Sequence, residues 1–328
     1  MKKVLVVLLV AVLASFSLFA QGSSESTQRE LVVYSAASEA EAQTITKEFN
    51  ALYPDIKVTI IRGGSGDLVT RVKTEWPNPE GDVILLIGAE NLGMIYDMLE
   101  PYKSANHDSI PAQFRDSKSE VPRYYGTALP VQAIMYNTEL LTEEEAPKSW
   151  KDLGDPKYQG EIVLANPASS GSAYAQLYMI YKLYGKEFIE NIAKNATFVA
   201  SSTSGPESVA RGEYAITVTG EFNIANKIAE GAPVKYVHPA EGVGSNIDGS
   251  VVLANCKHPE EAKLFIDFMT SPAGFQIVRD ECNRRAASPE IAAPEGLPAF
   301  EDMTFFEYDN DEAAELKKEL VAELNKYI

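Results

Sequence analysis

Histidine and cysteine are the scarce residues of this 328-residue chain, three of the first and two of the second. His107, His238 and His258 stand far apart, and neither an HExxH helix nor a GxSxG elbow occurs, so the common zinc-hydrolase and serine-hydrolase frameworks are missing. A secreted hydrolase, which needs a nucleophile with its base or a metal cluster, is therefore only a remote alternative. His258 opens a helical segment and His238 precedes a proline, both positions that suit structural roles. Internal repeats are absent too, which removes a stalk-like adhesin. Beyond Phe19 there is no second long apolar run, so no permanent membrane span is expected. The two cysteines, Cys256 and Cys282, read either as a disulfide, closing a loop of about 25 residues for ~3 kcal/mol on the chain-entropy argument, or as two unrelated buried thiols. Neither lies near residue 20, so a lipoprotein anchor has no attachment point.

What the chain does have at its start is a targeting pattern. Lys2 and Lys3 precede the apolar stretch Val4 to Phe19, and Ala20 precedes a polar run. This is expected to be a signal peptide over 1–20 with a flexible polar leader over 21–29, placing the mature protein in the periplasm. The full chain is acidic, with a formal net charge of −18, which makes nucleic acid an unsuitable partner. The run Glu143-Glu144-Glu145 reads as a solvated face.

Short β-type runs alternate with helical patterns throughout, which predicts an α/β fold. Strands are expected at Leu31–Tyr34, Ile56–Ile61 and Asp82–Ile87, the last nearly all apolar and suited to burial on both faces of a parallel sheet. Ala42, Ile45, Phe49 and Leu52 recur at helical spacing between the first two. Each strand runs into a loop of small residues, and in open α/β sheets ligands bind outside the carboxyl ends of the strands. Ser35 and Ala36, Ser65 and Gly66, and Glu90 are the candidates on these loops. A second set of strands is expected at Val131–Tyr136, Ile162–Leu164 and Ala215–Val218. There Ser169, Ser170, Gly171 and Ser172 precede a helix expected from Ala173. Hydroxyls and free backbone N–H groups at a helix start, with about half a positive charge from the dipole, suit a phosphate or carboxylate. A plain serine N-cap accounts for the same residues. Ser204 and Gly205 offer a second such loop, while Thr219 and Glu221 end the third strand of this set. Glu221 is either an acceptor for ligand hydroxyls or an exposed carboxylate favoured by its helix start.

Four segments together resemble one family, the solute-binding proteins of ABC importers that take ferric ion, sugar phosphates or phosphonates. They are Leu31-Val32-Val33-Tyr34-Ser35-Ala36; Ser149-Trp150-Lys151-Asp152-Leu153 with Asp155-Pro156-Lys157-Tyr158-Gln159-Gly160; Asn166 to Ser172; and Gly249–Leu253 with Pro259–Phe268. The resemblance implies a two-lobed, periplasmic-binding-protein type II-like fold. Lobe 1 would hold 30–127 plus 240–292, and lobe 2 would hold 128–239 plus 293–328. It also implies cleft closure on a small anionic ligand, delivery to an ABC permease in the inner membrane, a monomer, no cofactor, no metal and no catalytic activity. The family's ferric branch uses a pair of adjacent tyrosines. The matching stretch here reads Val218-Thr219-Gly220-Glu221-Phe222, so an organic phosphate is the expected ligand and ferric ion the alternative. Tyr124 and Tyr125 are expected to pack, and Arg284 and Arg285 to form surface ion pairs or to reach an anion.

Overall fold

The computed structural model describes residues 29–244 and 247–328; the expected signal peptide and the leader up to Gln28 lie outside the described residues. Two sheets organise the chain. The first has the order β12-β4-β11-β3-β1-β2, built from β1 (Arg29–Ser35), β2 (Ile56–Arg62), β3 (Val83–Gly88), β4 (Tyr125–Leu129), β11 (Asp248–Val252) and β12 (Arg285–Ala286). β1 pairs in parallel with β2 and β3, while β11 runs antiparallel to both β3 and β4. All six residues of β3 are buried, as its apolar sequence requires of a central strand. α1 (Glu39–Leu52) and α8 (Pro259–Met269) cover one face, where Phe49 meets Phe265 and Phe268 edge-on at 5.1 and 5.6 Å. α2 (Ser65–Glu75) covers the other with Leu68, Val69 and Val72, joined by Leu92 and Ile95 from the short α3 (Ala89–Gly93) and beyond it.

The second sheet has the order β7-β6-β8-β5-β9, from β5 (Gln132–Asn137), β6 (Ile162–Ala165), β7 (Ala196–Val199), β8 (Ile216–Gly220) and β9 (Val234–Val237). β6 leads to α4 (Gly171–Tyr184), which is followed by α5 (Lys186–Asn195); α6 (Ser204–Ala210) follows β7, and α7 (Glu221–Ala229) follows β8. Trp150, fully buried, fills this core. Its indole donates to the Gly242 carbonyl at 2.8 Å. That bond holds β10 (Val243–Gly244), paired in parallel with β13 (Phe305–Phe306), against the second sheet. β4 of the first sheet ends at Leu129 and β5 of the second begins at Gln132, while β10 packs with the second sheet and β11 belongs to the first.

The C-terminal helix α10 (Asn310–Leu324) bridges the units. It packs on α4 and α5 through Leu320 and Leu324, and on α3 of the other unit. α9 (Pro272–Asp280) leads to β12. Among the described residues no helix is long and apolar enough to cross a membrane.

The expected disulfide is not formed, since Cys256 and Cys282 are both free thiols. Cys256 feels Asp82, just before β3 begins. Cys282 feels Arg284, which bonds Asp248, itself opposite Gly88 where β3 ends. Burial pushes the Cys256 thiol up to about 11 and the Cys282 thiol up to about 12. Unfolded without reductant, the protein is expected to give two thiols per chain with Ellman's reagent, to react slowly while native, and to melt at the same temperature with or without dithiothreitol. A titration that finds no thiol in the unfolded chain overturns this.

Candidate functional site

Two helix starts face each other between the sheets. On the first side, β2 ends at Arg62 and the chain turns through Gly63 and Gly64 into α2. Gly64 caps that helix with φ −65° and ψ 155° and has no side chain to bond the first-turn N–H groups; that of Gly66 goes to the Ser169 carbonyl, and those of Ser65 and Asp67 stay available. On the second side, Asn166 takes the Ala168 N–H at 2.8 Å, the Ser169 hydroxyl donates to the Ala200 carbonyl at 2.7 Å, and Ser170 accepts from Ala173 N at 3.2 Å as the N-cap of α4. The Ser172 hydroxyl makes no hydrogen bond among the described residues. A cavity of about 340 Å³ lies between these ends, closed on a third side by Ser201, Ser202 and Thr203.

The floor carries charge. Glu41, in the first turn of α1, accepts the Ser38 N–H at 2.8 Å and a guanidinium N–H of Arg284. Arg284 also donates to Asp248 at 2.9 Å and lies 3.8 Å from the centre of the Phe222 ring. Two carboxylates thus share one guanidinium. Burial opposes ionisation of both, but Arg284 holds Glu41 below the usual carboxylate range. Burial, with Glu90 and Glu41 repelling, raises Asp248 to about 7 against the weaker pull of Arg284. At the rim Arg62 gives one N–H to the Ala37 carbonyl at 2.9 Å and lines the cavity without a carboxylate partner among the described residues.

Of the residues expected from sequence, Ala36, Ser65, Ser169, Ser170, Gly171 and Ser172 line this cavity. Others are held away from it. Ser35 is fully buried at the end of β1. Gly66 turns to the facing loop, where its N–H donates to the Ser169 carbonyl at 3.2 Å. Glu90 is buried and accepts from Asn91. Ser204 and Gly205 lie inside the start of α6, Gly205 against the Thr217 hydroxyl. Thr219 accepts from Asn223 at 2.8 Å, and it is Asn223 that reaches the cavity. Glu221 is neither an exposed carboxylate nor a cavity acceptor. It pairs with Arg285, one bond at 3.2 Å, with His238 3.3 Å away, and both partners of the pair are buried. Arg284 and Arg285 are accordingly not surface ion pairs: β12 at the sheet edge directs one into the floor and the other across to α7. Tyr124 and Tyr125 do pack, against the two faces of the first sheet. Arg62, Glu41 and Asp248 went unrecognised. Arg62 had a signal, a lone cation in a glycine turn at a strand end.

The family described as bacterial extracellular solute-binding protein matches residues 82–316. An uncharacterized protein of Haemophilus influenzae is 31% identical over 92% of this chain and 91% of its own. The Fe(3+)-binding periplasmic protein of Serratia marcescens is 25% identical over 96% of this chain and 95% of its own. Among solved structures, the periplasmic binding protein AfuA of Actinobacillus pleuropneumoniae, with fructose 6-phosphate bound, superposes with a TM-score of 0.86 at 26% identity, covering 92% of this chain and 99% of that one. The fold is the two-lobed α/β architecture of the periplasmic binding proteins.

Two outcomes follow from the buried charges. A carboxyl whose native pKa is raised is stabilising only while protonated. The native chain releases the Asp248 proton near 7 and the unfolded chain near 3.8, so the wild type is expected to lose stability relative to Asp248→Asn between about pH 4 and 7. Urea midpoints of both proteins at pH 4.5 and 8 check this, and a constant difference refutes it. Glu221→Ala leaves Arg285 buried without its carboxylate and is expected to cost roughly 3 to 5 kcal/mol of unfolding free energy. A second change, Arg285→Met, should restore much of that loss.

Proposed function

The chain belongs to the bacterial extracellular solute-binding proteins, and from that premise we propose that it captures a small organic phosphate in the cleft. It closes on the solute and delivers it to the permease of an ABC import system, working in the periplasm as a monomer without catalytic activity or cofactor. The reading is carried by one observation: the amino ends of α2 and α4, one from each unit, meet across the cavity, with Ser65 against Gly171. Each end carries about half a positive charge. Two such ends brought together repel, and an anion between them turns that repulsion into attraction. Arg62 adds a guanidinium with free donors, the group best matched to a phosphate. A neutral solute would leave these N–H groups unpaired, a cost of about 1 to 3 kcal/mol each.

The floor serves the other end of the ligand. Glu41, Asp248 and Asn223 present acceptors, which suit hydroxyl groups, and the Phe222 ring offers an apolar face. Bare phosphate would leave this half unfilled. Ferric ion needs hard oxygen donors, and here the two carboxylates are engaged by Arg284 and the aromatic is a phenylalanine. The match to a sugar phosphate-bound structure agrees with this reading; the match to an iron-binding relative is the competitor it must beat.

A thermal-shift and calorimetric comparison of fructose 6-phosphate, a phosphonate, inorganic phosphate and ferric citrate tests it. A true ligand at 100 times its Kd adds about 2.7 kcal/mol of stability. Ser172→Ala, which removes no hydrogen bond seen in the fold, should leave the unliganded melting temperature unchanged and weaken organic phosphate binding about tenfold, the worth of one bond to a charged group. A shift with ferric citrate alone, accompanied by a visible charge-transfer band, sinks the proposal.

A further inference from the structure

One contact between the two units is made by backbone alone. The turn at the start of α2 lies flat against the loop before α4. There the Gly66 N–H donates to the Ser169 carbonyl at 3.2 Å. A Cβ placed on Gly64 would fall well inside 3.0 Å of the Ser169 carbonyl oxygen, and one on Gly66 inside 3.0 Å of the Ala168 carbonyl oxygen. Both obstacles are backbone, which does not swing aside as a side chain does. Neither glycine has a positive φ; Gly64 sits at −65°. Any residue fits their backbone conformation, so what these positions require is the missing side chain. Gly63, their neighbour, differs. A Cβ there meets only the flexible end of Leu68 at 3.2 Å.

We propose that Gly64 and Gly66 are positioning residues for solute capture: their bare backbone lets the amino end of α2 come to rest on the loop carrying Ala168 and Ser169, and this latch defines the closed state. The inference rests on reading the chain as a closing solute receptor and not on which anion fills the cleft. Opening separates Gly66 N from Ser169 O, and a closed latch withholds the ligand from solvent on that side. The latch therefore acts on escape more than on entry, as most differences among related complexes do.

Small-angle scattering and stopped-flow dissociation on the whole protein test this with three probes: fructose 6-phosphate, 2-aminoethylphosphonate and ferric citrate. The wild type and Gly63→Ala are expected to contract with the effective probe. Gly66→Ala and, independently, Gly64→Ala should not contract. Their dissociation should be at least about tenfold faster with association nearly unchanged, while their unliganded melting curves stay cooperative. If Gly66→Ala fails to fold, Gly64→Ala decides. Contraction of both variants to the wild-type radius overturns the latch. Should no probe act, a wild type already smaller than the two variants supports it and equal radii overturn it. Contraction with ferric citrate alone refutes the organic phosphate and leaves the latch standing.

Discussion

A parallel strand that turns directly into a helix must leave the helix's amino end, with its unpaired N–H groups, at the carboxyl edge of the sheet. This constraint shapes the protein more than any single contact. β2 delivers α2 and β6 delivers α4 in this way, and the two units face each other with those edges inward. The cleft is thus lined by backbone donors before any side chain is specified, and serine, threonine and glycine are the residues that leave such donors accessible. The same geometry is what would let a chain with a net charge of −18 hold the proposed anion. The local field at two helix starts is set by peptide dipoles a few ångströms away, whereas the surface carboxylates act through water and salt.

Buried charge fixes the rest. Arg284, just before β12, and Arg285, its first residue, have opposite tasks, one holding Glu41 and Asp248 beneath the cavity, the other reaching Glu221 on α7 across the unit boundary. Replacing such pairs by apolar residues often adds stability, so their presence here is explained by what they orient. Glu41 is held by both Arg284 and the Ser38 N–H, which leaves its carboxylate little freedom to turn. On the opposite flank Lys317 of α10 is buried, donates to Asn91 of α3 and lies 5.0 Å from the Tyr174 ring. Its pKa is lowered by burial, with Glu90 pulling the other way. The two flanks therefore tie the units together by charge, while the centre between them is where positive helix ends meet.

Much of the fold was legible because it is periodic. The apolar run of β3, the helical spacing of Ala42, Ile45 and Phe49, and the small-residue loop from Ser169 to Ser172 each carry a local signal, and each sits where it was expected. What was not legible depends on partners far along the chain. Glu221 reads from sequence as an acceptor for ligand hydroxyls or as an exposed helix-start carboxylate; Arg285, 64 residues away, pairs with it in a buried site. β12 is two residues long and has no periodicity to read. The cysteine spacing suited a bridge, but geometry and not spacing decides whether two thiols join, and both are free. At the start of α7 it is Phe222 and Asn223, not Thr219 and Glu221, that line the cavity. Such an error is inherent where a strand ends and the side-chain period changes from 2 to 3.6.

The glycines at the start of α2 then have two consequences from one physical fact. Without a side chain, Gly64 leaves the helix end uncapped, so its donors wait for a ligand; without a Cβ, the same turn can lie against the opposite loop. A serine at that position would satisfy the first turn by itself, and any larger residue would hold the units apart. Affinity and closure are therefore set by the same absence. On the proposed reading, bringing α2 and α4 together costs electrostatic energy that the glycines' steric room does not remove, so an anion between them would favour the closed arrangement.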